Sequence, residues 1–354
     1  MKVAIDTNSR HTTRAGTTRY LEGLLRGLKQ ISSSVLHVEE ISWPIDNLSY
    51  KQPQRSLKTA YRELVWPWLV ARPQIAKSKP DVFHSPTGFF VTPPDNVPHV
   101  VTLHDLAMLR HPERFRKWQR FSGPYRLRKL IDSNHIIAIS KFTADEAVKL
   151  LGIPPRLLSI IHHGCDFSHD SSECAPRSFS VPSSFFLFVG SLEPGKNLNL
   201  LRECYLLAEK NALCLPPLVV VGARWYGVKH EGRWPVSWIQ AGRISDSELV
   251  YLYRRAMALL FPSKYEGFGF PLLEAMTLGC PVVCSRLASL PEVSGEAALY
   301  SELSPMPFLD AMRFILANES YRSDLVAAGR ERAAQFSWSK CASETVNIYK
   351  NVII

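Results

Sequence analysis

Apolar runs of strand length alternate with helix-length periodic segments along almost the whole chain, and this alternation constrains its fold more than any other feature. Strands joined through whole helices require crossover connections, so the sheets are expected to be parallel and covered on both faces. In the first half, strands are read near Lys2–Ile5, Val35–Ile41, Asp81–His84, Val100–Leu103, Ile136–Ile139 and Leu158–Ile161. Helices fall between them at Thr17–Lys29, Ser56–Lys77, Arg116–Ile131 and Lys141–Leu151, the last with Ser140 placed to cap it and Gly152 to end it. The polar, proline-bearing stretch Ser171–Pro182 reads as a linker. Beyond it the pattern restarts with strands at Phe185–Val189, Leu218–Val221, Trp238–Ala241, Met257–Phe261 and Pro281–Cys284. Helices intervene at Asn197–Lys210, Asp246–Arg255 and Pro271–Leu278, and three more close the chain. The expectation is an α/β protein of two Rossmann-like domains, residues 1–170 and 183–338, with ligands at the carboxyl ends of strands in a cleft between facing sheets.

Composition supports two buried cores: 354 residues, 46% hydrophobic and 21% charged, with no heptad or low-complexity tract. The longest apolar runs, such as Phe185 to Val189, are far too short to cross a bilayer. Seven cysteines without a Cys-x-x-Cys spacing read as reduced, buried thiols, and the chain opens directly on a strand pattern; a cytoplasmic protein is expected. The net charge of +10 is uneven: residues 1–175 hold 24 Lys/Arg against 16 Asp/Glu, the remainder 18 against 16. A polyanion-attracting face is therefore expected in the N-terminal half. No helix-turn-helix, zinc or RNA-binding motif supports nucleic acid, and no Gly-x-Gly-x-x-Gly follows the first strand to support a nicotinamide cofactor.

The segment after Met257–Phe261 is PSKYEGFGFPLLEAMTLGCPVV. Gly267 and Gly269 let backbone N–H groups approach a ligand, and Pro271 suits the first turn of a helix whose N-terminus attracts an anion. Glu274 lies one turn in, where a carboxylate could accept both hydroxyls of a ribose; Glu266 could do the same for a second polyol. Read on Glu274 alone, the segment is more simply a glycine turn followed by a helix-dipole glutamate. Lys196 follows Gly190–Gly195 and is read at a helix start, where a cation is misplaced unless it meets a phosphate. His104-Asp105 ends a strand, His162-His163 lack further ligands for a metal, and Gly16 enters the first helix.

Two glutamates around Gly-Phe-Gly-Phe-Pro resemble the most specific motif of the retaining glycosyltransferases of family 4, which have the GT-B fold. The resemblance extends to GTTRYLEGLL (Gly16–Leu25), VVTLHDLAMLRHPERF (Val100–Phe115), AISKFTADEAVKLLGIPPRLLSIIHHGCD (Ala138–Asp166) and FLFVGSLEPGKNLNLL. It implies that Glu266 binds donor-sugar hydroxyls, that Glu274 holds the ribose, and that the amides of Gly267, Phe268, Gly269 and Phe270 contact sugar and phosphate. Gly16 and Lys196 would bind the diphosphate, and His104 would sit against the donor sugar. Catalysis would rest on His104, Glu266 and Lys196, with no metal and no cofactor, the nucleotide sugar being a substrate. The final helix, about 339–354, would return to the first domain.

The chain departs from the family's Pro-Arg-Lys-Asn, having Pro194-Gly195-Lys196-Asn197, and Ser191 stands where some members have Arg. One lysine would then hold the diphosphate, unless Arg14, Arg19, Arg243 or Lys264 compensates. Residues 110–130 carry eight Lys/Arg and one acid, interleaved with Phe115, Trp118, Phe121 and Tyr125; Lys51, Arg55, Lys58, Arg62, Arg72, Lys77 and Lys79 flank Trp66-Pro67-Trp68. Such patterns suit an anionic membrane surface, or else a solvated face with its aromatics in the core. The expected partners are a nucleotide-sugar donor, a glycan or polyprenyl-diphosphate-linked acceptor, and the inner face of the cell membrane. Ser289–Val293 and the His-Asp-Leu loop resemble mannosyltransferases and point to GDP-mannose; UDP- or dTDP-sugar donors and a GT-B sugar-nucleotide epimerase are the alternatives.

Overall fold

The computed structural model describes residues 1–12, 16–31, 35–42, 61, 65–87, 91–115, 117–168, 170–223 and 234–353. The chain divides into two compact units, Met1–Gly164 with Phe336–Ile354, and Cys165–Gln335. Each contains one six-stranded, wholly parallel sheet.

In the first unit the strands are β1 (Lys2–Asp6), β2 (His37–Ile41), β3 (Val82–Ser85), β4 (His99–Leu103), β5 (His135–Ala138) and β6 (Leu158–Ile160). Their spatial order is β2-β1-β3-β4-β5-β6, so the chain reverses direction across the sheet between β1 and β3. Strands β3 and β4 are buried almost throughout because helices cover both faces, which is why they read as continuous apolar runs rather than alternating ones. Ser140 Oγ accepts the Thr143 N–H at 3.1 Å, and Gly152 ends that helix at φ +66°.

Two sequence expectations are corrected here. Instead of one helix through Lys77, the described residues form a π-helical turn, Pro67–Ala71, running into an α-helix, Arg72–Ser78. Pro73 has no N–H to offer residue 69, and the Arg72 N–H bonds instead to the Pro67 carbonyl five residues back. Lys51, Arg55, Lys58 and Arg62, and the helix start near Ser56, lie outside the described residues, as do Arg14 and Arg116. The thiols are not all buried either: Cys174 and Cys214 are exposed, whereas Cys204, Cys280, Cys284 and Cys341 are buried.

The second unit holds β7 (Phe186–Val189), β8 (Leu218–Val221), β9 (Trp238–Gly242), β10 (Ala258–Phe261), β11 (Val282–Ser285) and β12 (Leu299–Ser301) in the order β12-β11-β10-β7-β8-β9. Phe186, Phe188, Leu201, Leu218, Leu260, Phe308 and Met312 form its main core. Burying each such side chain contributes about 1.5–3 kcal/mol. The stretch Ser171–Pro182 belongs to this unit: Glu173 bonds Arg254 and Arg255 at 3.0 and 2.9 Å on the helix Asp246–Arg255. The ends of β7 and β8 approach closely at Gly222, φ +144°, where an added Cβ would stand 1.8 Å from the Gly190 carbonyl oxygen.

The helix Trp338–Ile353 returns to the first unit and packs on the helix Gly16–Lys29. Trp338 fills a recess made by glycines: an added Cβ at Gly23, Gly27 or Gly164 would lie 2.1, 2.5 or 2.3 Å from an atom of Trp338. A polar chain fastens the far end, from Tyr349 Oη to His84 Nδ1 (2.6 Å), His84 Nε2 to Thr102 Oγ1 (2.9 Å) and Thr102 Oγ1 to Tyr20 Oη (2.9 Å). All four side chains are buried, so each needs these partners to offset lost hydration.

Candidate functional site

The second sheet changes winding direction between β7 and β10, which are hydrogen-bonded neighbours although many residues apart in sequence. Loops leaving such a pair at their carboxyl ends form the ligand crevice of doubly wound sheets. Lys196 lies in the loop after β7 and Glu266 in the loop after β10. Topology alone therefore brings them together: Lys196 Nζ stands 2.5 Å from Glu266 Oε1, with 16% and 11% of their side chains exposed. The buried Ser263 hydroxyl is 2.6 Å from the same Oε1 and 3.2 Å from the Gly195 carbonyl, while the Lys264 N–H donates to that carbonyl at 2.8 Å. Lys196 does not begin a helix as the sequence suggests. It ends a 3-10 turn, Pro194–Lys196, and Asn197 at φ +56° separates it from the helix Leu198–Lys210.

The motif Gly267–Phe270 folds into a buried loop against the start of the helix Phe270–Leu278. Gly269 caps that helix at φ +105°, a conformation that only glycine adopts without strain. Phe268 and Phe270 meet edge to face at 5.6 Å. The buried Ser289 hydroxyl lies 2.9 Å from both the Glu266 and Phe268 carbonyls, dividing one proton between them and fixing the loop's path. Glu274 is buried, and Tyr253 from the neighbouring helix donates to its Oε2 at 3.0 Å. Burial, with the Glu274 charge nearby, pushes the Cys165 thiol up to about 12, so this cysteine is not a nucleophile at neutral pH.

Gly16 and His104 belong to the first unit. Gly16 opens the helix Gly16–Lys29, so its N–H is among the first four, which have no acceptor within the helix. His104, just past β4, donates from Nε2 to the Pro86 carbonyl at 2.7 Å; that bond sets the neutral tautomer with Nδ1 as acceptor. Burial lowers its pKa, so the ring is uncharged at neutral pH. Tyr20, one turn along the helix that Gly16 opens, meets His104 edge to face at 5.0 Å and lies tilted against His163 at 4.6 Å. Asp105 accepts the Ala107 N–H at 2.9 Å and acts as a local cap. Among the described residues no group of three or more His, Cys, Asp or Glu is placed to hold a metal ion.

Sequence reasoning did not single out Ser263 or Tyr253. Their only signal is proximity, Ser263 standing three residues before Glu266, and Tyr253 being visible only once two helices pack. The basic stretch is partly committed internally: Arg110 makes a two-pronged bond to Glu146 at 2.6 and 2.5 Å, and Arg120 donates to the carbonyls of Phe115 and Glu113. Trp66 is buried, whereas Trp68 and Leu69 are exposed. The side chains of Lys117, Trp118, Phe121 and Arg126 lie outside the described residues.

Two parallel Rossmann-like sheets, with a lysine–glutamate pair at the switch point of the second and a buried glutamate one helical turn beyond, define a GT-B glycosyltransferase. Residues 176–332 match the family described as Glycosyl transferases group 1, and residues 16–169 match Glycosyltransferase Family 4. The chain belongs to this family and is a hexosyltransferase. It is 32% identical over 290 residues to the O-antigen chain mannosyltransferase B of Escherichia coli, covering 76% of this chain and 74% of that one. It is 29% identical over 284 residues to the serotype-specific mannosyltransferase WbdA of Escherichia coli, of which it spans 34%. The sucrose-phosphate synthase of Thermosynechococcus elongatus superposes over 99% of both chains with a TM-score of 0.74 at 18% identity, a likeness of fold.

Proposed function

We propose that this enzyme is a retaining, metal-independent mannosyltransferase that takes mannose from GDP-mannose and places it on a hydroxyl of a lipid-linked glycan. The observation that carries the reading is the meeting of Lys196 and Glu266 at the sheet's switch point. A sugar diphosphate presents hydroxyls beside an anion and asks for a carboxylate and a cation at that separation. In the reaction the bond from the sugar's C1 to the β-phosphate oxygen breaks. The acceptor oxygen bonds to C1 on the same face, and its proton passes to the departing phosphate. Lys196, with the N–H groups of the Gly267–Phe270 loop and of Gly16, stabilises charge growing on that phosphate. Glu266 accepts sugar hydroxyls, Glu274 the ribose hydroxyls, and neutral His104 faces the sugar. Mannose is favoured by the mannosyltransferases among the relatives, and a surface glycan by the O-antigen role in the name of one of them.

The acceptor's lipid brings the enzyme to the inner face of the cell membrane. Exposed Trp68, Leu69, Tyr125 and Ile131, with Arg72 over Trp68 and Lys129 over Tyr125, support that placement, since each cation near an anionic surface contributes about 1 kcal/mol. Among the described residues no helix is long and apolar enough to cross a membrane. Membrane attachment that high salt releases is the expected result, and full solubility at low salt opposes it.

The deciding experiment is thermal stabilisation by GDP, UDP, dTDP and CDP, with and without magnesium. A nucleotide at 100 times its dissociation constant adds about 2.7 kcal/mol. A magnesium-independent shift with GDP alone, lost in Glu274→Ala, is expected. A shift with UDP or dTDP instead overturns the donor and keeps the enzyme.

A further inference from the structure

We propose that the Lys196–Glu266 ion pair lets the site tell a sugar-bearing nucleotide from the spent nucleoside diphosphate, Glu266 drawing Lys196 away from the phosphate once the sugar has left. The inference rests on the reading of Lys196 as the diphosphate's cation and Glu266 as the acceptor of sugar hydroxyls.

The argument is one of competing partners. The carboxylate of Glu266 takes the Lys196 ammonium at 2.5 Å and the Ser263 hydroxyl at 2.6 Å, both on Oε1. Neither side chain is well hydrated, so Glu266 has no equivalent supply of water to replace the ammonium. A bare diphosphate must therefore share Lys196 with an adjacent carboxylate, which both neutralises the lysine and repels the phosphate. A donor with its sugar attached offers hydroxyl protons to Glu266. The carboxylate is then satisfied from the other side, and the ammonium is free to lean on the phosphate.

Two details fit an exchange of this kind. The Lys196 stem lies across Gly190, whose added Cβ would stand 3.6 to 3.7 Å from Cγ, Cδ and Cε, and Nζ sits 5.4 Å from the Phe261 ring centre. The stem thus passes over the Gly190 backbone, and turning its terminal bonds is enough to re-aim the ammonium. The Ser263 hydroxyl has a second acceptor ready in the Gly195 carbonyl at 3.2 Å, and its own backbone is held by Ser285 Oγ at 2.6 Å. When Glu266 turns to a sugar, that buried proton keeps a partner. After transfer the hydroxyls depart with the product, Glu266 recovers Lys196, and the nucleoside diphosphate is loosened.

The test is calorimetric binding of GDP, UDP and their sugar conjugates to the full chain as wild type, Glu266→Gln, Lys196→Ala and the double variant. Glu266→Gln is expected to tighten the nucleoside diphosphate at least about fivefold, while binding of the sugar nucleotide does not tighten. That gain is expected to vanish in the Lys196→Ala background, as a coupled pair requires. Glu266→Asp, which draws the charge one methylene back from Lys196, serves if the Gln variant fails to fold: it is expected to tighten the diphosphate relative to wild type, again only with Lys196 present, and no gain overturns the inference. Unchanged diphosphate affinity in Glu266→Gln, or an equal gain without Lys196, overturns the inference and leaves the reading of Lys196 standing. Diphosphate affinity that ignores Lys196→Ala overturns the reading and the inference together.

Discussion

Tyr253 donates its phenolic proton to Glu274 Oε2 at 3.0 Å, from one helix of the second unit to the next. Both side chains are buried, so the bond fixes which way the carboxylate faces. Glu274→Ala is expected to abolish nucleotide-induced stabilisation. Tyr253→Phe should keep the carboxylate but weaken nucleotide binding about tenfold, the worth of one hydrogen bond to a charged group. Calorimetric titration of both variants checks this.

Ser289 holds the glycine loop by serving two carbonyls from one hydroxyl. Its replacement by alanine leaves buried acceptors short of a donor, at a cost of about 1–3 kcal/mol. A lower melting temperature is expected, with a fall in kcat/KM larger than the loss of folded protein explains.

The close approach at the end of β7 separates two glycines that look alike in the sequence. Gly222→Ala puts a methyl 1.8 Å from the Gly190 oxygen at φ +144°, whereas Gly152→Ala meets nothing within 4 Å at φ +66°. The first should cost roughly 3 kcal/mol or more and the second about 1–2 kcal/mol. Denaturant titrations of the two variants give the comparison directly.

Acid should weaken the first unit. Burial lowers the pKa of His84 to about 3 and of His99 to about 4, and lowers His104 and His163 as well. The folded state keeps these rings neutral while the unfolded chain protonates them, so stability is lost as pH falls below about 6.5. Asp6 opposes this: burial raises it to about 7, so the fold gains from its proton between about pH 7 and pH 4. Four histidines outweigh one aspartate, each group contributing up to about 1.4 kcal/mol per pH unit. Melting temperatures recorded from pH 7.5 to 5 should fall, and a flat profile would refute the sign.

The alternation of apolar runs was enough to read two parallel sheets, because strands such as Phe186–Val189 are buried on both faces and leave an unbroken apolar signal. The Glu266–Glu274 spacing was equally legible, since both residues lie on one loop and helix. What escaped were relations set by tertiary packing. Ser263, Ser289 and Tyr253 are ordinary residues until a neighbouring element arrives. Lys196 looked like the start of a helix because nothing in Gly-Lys-Asn announces that Asn197 adopts a left-handed conformation. Gly23, Gly27 and Gly164 gave no hint of their purpose, their partner Trp338 being far along the chain.

That last dependence sets an order of events during synthesis. The recess formed by the three glycines waits for Trp338, and His84 waits for Tyr349, until the whole second unit has left the ribosome. The second unit, later in sequence, has all its strands and helices available before the first receives its closing helix. The domain begun first is therefore the one finished last. Through that interval its apolar recess stands open, a window in which a nascent chain is most in need of a chaperone.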